Sequence, residues 1–149
     1  MGKLLHHELE AALAAVVEDL SRSVTELAAT LADEREALIA ADALALDRTG
    51  ERKQALMRQL EQLDAERVQM LKLEPAAAAR VETRWREVLE QLRRCHELNQ
   101  RNGNLVSQRL TQVREALAVL AGQGGDAKGL YGPAGEVRTA LRSHHLASA

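Results

Sequence analysis

Near the C-terminal end, Gly122, Gly124, Gly125, Lys128 and Gly129 gather in a short stretch. Backbone N–H groups can crowd around a phosphate where side chains are missing, so a nucleotide loop is the first chemistry to test. A phosphate loop needs Ser or Thr after its lysine, however, and Gly129 stands there. The run Gly122-Gln123-Gly124-Gly125-Asp126-Ala127 fits a loose dinucleotide pattern, but it follows a helical stretch and not a strand. No nucleotide cofactor is expected. His6-His7, Cys95-His96 and His144-His145 are adjacent pairs. Neighbours on a helix point about 100° apart, so none of these pairs closes on one metal ion from a single face. The acidic residues mostly have Arg or Lys three or four positions away, the spacing of surface ion pairs, and no isolated carboxylate pair suited to acid–base work stands out. No catalytic residue, metal ligand or cofactor is expected.

Asn99 and Asn102 are more informative, because both fall on an otherwise apolar helical stripe that also carries Trp85. A buried amide costs free energy unless it is paired, and in helical cores it often fixes register. The alternative is that these amides hydrogen-bond the backbone of a bound polypeptide. Trp85 is most simply a core anchor.

The elements that must position these residues are helices. Leu, Ala and Val make up most of the apolar content, Phe is absent, and Trp85 and Tyr131 are the only aromatics. Sheets recruit β-branched and aromatic residues, so this mix favours an all-α fold. Leu5, Leu9, Leu13, Val16, Leu20, Leu27, Leu31 and Leu38 recur at helical spacing, predicting a first helix over about 3–39. Asp42 is placed as an N-cap for a second, over about 43–72, striped by Leu46, Leu56, Leu60, Leu63 and Met70 or Leu71. Pro75 suits the first turn of a third, over about 75–121, since its missing N–H would have no partner there. The third stripe reads Val81, Trp85, Val88, Leu92, Cys95, Asn99, Asn102, Val106, Leu110, Val113, Leu117 and Leu120. Its apolar phase passes through Asn102-Gly103 without a slip, so that dipeptide reads as helix although it is a common hairpin signal.

An antiparallel bundle of three long helices over 1–122 follows, with a flexible C-terminal segment, 123–149, that carries a short helix over 136–146. Twenty Lys and Arg against 22 Asp and Glu, interspersed, argue against a nucleic-acid partner. The single Cys95 excludes an internal disulfide and fits a reducing, cytoplasmic setting. No apolar run approaches the ~18 residues needed to cross a bilayer, and the first residues lack a secretory core, so no membrane insertion is expected.

Three stretches together resemble the FlgN-type flagellar export chaperones. Glu34-Arg35-Glu36-Ala37-Leu38, followed by Asp42, Leu46 and Lys53, is similar to that family's bend between its first helices. Trp85 with Cys95-His96-Glu97-Leu98-Asn99-Gln100-Arg101-Asn102-Gly103 is similar to its Asn-rich helix centre, and Leu130-Tyr131-Gly132-Pro133-Ala134-Gly135 to its C-terminal tyrosine segment. The resemblance implies a cytoplasmic chaperone that binds the C-terminal segments of hook-associated proteins of the FlgK and FlgL type. It also implies delivery to the export gate protein FlhA, with Tyr131 as the gate-binding residue.

The residues themselves suggest where a client would lie. In an up–down–up arrangement the second helix is shorter than the third, which then overhangs with Leu110, Val113, Leu117 and Leu120 unpartnered. These four are the expected client site, completed by an amphipathic helix of the client. Two alternatives remain open: Val137 and Leu141 fold back over the strip, or the chain is a structural coiled-coil protein that self-associates through it.

Overall fold

The computed structural model describes residues 1–123, the side chain of Gln123 excepted. The expectations for 124–149, the flexible link, the short helix and Tyr131 among them, lie outside the described residues. The described elements are α1 (Gly2–Ala40), α2 (Ala43–Leu73), a single 3-10 turn (Pro75–Ala77) and α3 (Ala78–Gln123). The fold is all-α, and α3 runs unbroken through Asn102-Gly103. The third helix differs from expectation at its start, where Pro75 opens a 3-10 turn before α-helical bonding begins at Ala78.

Each connection has a local cause. Ala41 is left-handed at φ 54° and ψ 39°, which ends α1. Its N–H donates to the Leu38 carbonyl, and the next N–H, of Asp42, reaches back to the Ala37 carbonyl, so two otherwise orphaned carbonyls are satisfied. Asp42 then caps α2, its side chain accepting from the Ala45 N–H at 3.1 Å. At the other end the Glu74 N–H closes α2 on the Met70 carbonyl at 2.9 Å, and Pro75 re-aims the chain.

The chain divides into two units, Met1–Val106 and Ser107–Ala149. In the first, α1 and α3 run parallel: Val24 meets Cys95 and Leu31 meets Asn102, each 71 residues apart. By contrast α2 runs against α3, because Lys53 meets Asn99 while the later Arg67 meets the earlier Trp85. An up–down–up trio results.

The core of this unit is built mainly on α1, where Leu13, Val16, Val17, Leu20, Val24, Leu27 and Leu31 are all buried. From α3 come Val81, Val88 and Cys95, and from α2 only Leu56 is fully buried, with Leu60, Leu63, Met70 and Leu71 packed at its margin. Burying one such Leu or Val contributes roughly 1.5–3 kcal/mol before entropy is counted, so α1 supplies most of the apolar stabilisation. Leu5, at the free end of the first stripe, is exposed.

Candidate interaction surface

The four expected client-binding residues lie on α3 within the second unit, spaced three, four and three apart. Side chains at those intervals share one helix face. All four are open to solvent, with Leu110 51%, Val113 56%, Leu117 60% and Leu120 65% exposed. Exposure rises towards the C-terminal end. An apolar stripe about 15 Å long, at 1.5 Å per residue, is thereby presented to water. Its shape and chemistry suit the apolar face of another helix, and no polar group in it could hold a cofactor or drive a reaction.

Asn99 and Asn102, read together on the third stripe, are placed differently. Asn102 is 1% exposed, and its amide donates to the Leu31 carbonyl and to Glu34 Oε1, both at 2.9 Å. Asn99 is exposed and accepts from Lys53 Nζ at 3.2 Å. The same lysine pairs with Glu34 Oε2 at 2.9 Å, so Glu34, Lys53, Asn99 and Asn102 form one polar node tying the three helices. Asn102 Oδ1 is buried with no hydrogen-bond partner. Both amide protons have acceptors in the observed orientation, and turning the amide over would set its oxygen against two other acceptors.

Sequence reasoning has Glu34 only within the bend motif and gives it no place in the core. Most acidic side chains here do occupy exposed positions, but Glu34 is buried. The signal was available, since Leu27, Leu31, Glu34 and Leu38 continue the apolar spacing of α1 with a carboxylate in the series.

Elsewhere in the first unit Trp85 is half-buried, with the Arg67 guanidinium 3.8 Å from its ring centroid. The pair walls an open groove of about 440 Å³ that Leu71, Pro75, Val81 and Glu82 also line. Arg84 donates to both carboxylate oxygens of Glu18, at 2.8 and 3.1 Å. That hydrogen bonding holds the Glu18 carboxyl below the usual glutamate range and pushes the Arg84 guanidinium above its ordinary value. Burial pushes the Cys95 thiol up, which keeps it protonated beside the Val24 carbonyl, 3.7 Å away.

Among the described residues, no three His, Cys, Asp or Glu side chains converge to hold a metal ion, and no helix is long and apolar enough to cross a membrane. The chain is similar to the family described as FlgN protein, whose model matches residues 1–139. No curated protein and no solved structure matches it.

Proposed function

The chain belongs to the FlgN family of flagellar export chaperones, and from that premise we propose that it is a cytoplasmic chaperone for hook-associated proteins of the FlgK and FlgL type. It holds their C-terminal segments, keeps them from assembling too early, and hands them to the export gate protein FlhA. The observation that carries the client half of this reading is the solvent-exposed row Leu110, Val113, Leu117 and Leu120. An amphipathic client helix laid along that row buries apolar surface on both partners.

Four such side chains contribute on the order of 6 kcal/mol gross, from about 1.5 each, before the ordering of a disordered client is subtracted. Binding of that strength is moderate, which suits a protein that must release what it carries. The test is titration calorimetry with client C-terminal segments against the native chain and Leu117→Asp. The variant should lose client binding and keep its melting temperature, because Leu117 is 60% exposed and packs no core. Undiminished heat of binding would remove the row as the client site.

Tyr131 is assigned to gate binding through the resemblance of its segment to the family's C-terminal tyrosine. An aromatic ring among glycines supplies a compact anchor with a polar tip, a side-chain type enriched at interaction hot spots. Tyr131→Ala should leave client binding intact while weakening association with the cytoplasmic domain of FlhA. Equal gate affinity for both forms, measured by surface plasmon resonance, would refute that assignment.

A further inference from the structure

The apolar row exists only while its backbone is helical. Leu110, Val113, Leu117 and Leu120 share a face because a helix returns to the same side every three or four residues, and an extended chain would scatter them. Whatever keeps that stretch helical therefore keeps the row together. Earlier in α3, Val88, Cys95 and Asn102 are buried, and the pairs Arg84–Glu87, Arg86–Glu82 and Arg93–Glu90 run along the helix at spacings of three or four. From Leu110 to Leu120, by contrast, every residue is exposed, so no buried side chain anchors the helix. Neither Arg114 nor Glu115 has an oppositely charged residue three or four positions away. Thr111 and Val119 are poor helix formers and Gly122 is a worse one. The Thr111 hydroxyl also donates to the Ser107 carbonyl at 3.0 Å, a back-bond that weakens a helix slightly.

Without packing, a helix shorter than about 12–15 residues is marginal in water. We propose that residues 110–122 exchange between helix and coil in the free chain, and that this equilibrium controls the row: helix assembles it and coil disperses it. Because α3 is continuous from Ala78, its preceding turns already supply the nucleus. The stretch therefore frays from its C-terminal end, and opening declines towards Val106. The equilibrium is a property of the free chain, so it stands or falls separately from the client reading.

Hydrogen exchange of the full chain, read by NMR at single amides, tests this. Amides of 88–102 should be protected at least about a thousandfold, with the global stability of a small domain behind them. Those of 112–122 should stay within about tenfold of an unstructured chain, with protection declining steadily in between. The triple variant Thr111→Ala/Val119→Ala/Gly122→Ala replaces weak helix formers on the side away from the row, and should raise protection at 112–120 about tenfold. Adding Ala118→Gly should take back about fivefold of that gain. Equal protection in the two stretches of the native chain would overturn the proposal, because it is the mark of a helix held by packing. Exchange at 112–120 that the triple variant leaves unchanged would overturn it as well, since a helix–coil equilibrium must follow helix propensity.

Discussion

Asn102 shows how one side chain fixes a helical register. Its layer on α3 is otherwise Val81, Val88 and Cys95, every seventh residue, and all are buried. Only at the level of Leu31 and Glu34 do two acceptors meet its amide, so sliding α3 by a turn would strand the donors in an apolar layer. Asn102→Ala leaves a cavity and strips a hydrogen bond from a buried carboxylate. It should lower stability by about 2–4 kcal/mol, read as a shift in the urea midpoint at constant slope. Asn99→Ala should cost under about 0.5 kcal/mol, because that side chain is exposed and Lys53 keeps its bond to Glu34. From sequence both amides sat on the same stripe, and spacing alone could not separate them. The difference comes from the neighbours, since a stripe says which face is turned inward but not what stands opposite each residue.

At the scale of elements, the turn at Ala41 is where local chemistry and geometry disagree. It is the one non-glycine residue with positive φ among those described. Left-handed backbone costs an L-residue roughly 1–2 kcal/mol, which glycine avoids at some loss of chain entropy. Ala41→Gly should therefore raise stability by about 0.5–1 kcal/mol, visible as a higher melting temperature with the helical signal unchanged. The elements themselves were legible because their signals are local: Asp42 as cap, Pro75 as first-turn residue, and an apolar phase that carries α3 past Gly103. The width of the buried face on α1 was not. Val17 and Val24 are sealed beside the expected stripe, because α1 packs against two helices and a two-sided contact needs a broader face than a single seam. The row on α3 was readable for the opposite reason: its spacing matches a core stripe, while α2 is too short to pair with the whole of α3, and the four side chains are exposed.

Across the molecule, ion pairs knit the helices of the first unit. Arg84 joins Glu18, Arg80 joins Glu10 at 3.7 Å, and Lys53 joins Glu34. Because the folded Glu18 carboxyl titrates below its unfolded value, its contribution is present above the ordinary glutamate pKa and is lost as pH falls through the lowered one. Glu18→Gln should thus flatten part of the acid limb of a stability–pH profile measured by urea denaturation, lying slightly below the native chain near neutrality and converging with it in acid. Salt should weaken the same contribution, since both partners are about half-exposed. The burial pattern has its own bearing on how such a sequence can vary. Since α2 contributes Leu56 alone to the deepest layer, most of its positions tolerate replacement by any good helix former. On α1 an exchange at nearly any inward site opens a void or forces a clash, so drift between related chains should accumulate on the middle helix and leave the first one recognisable.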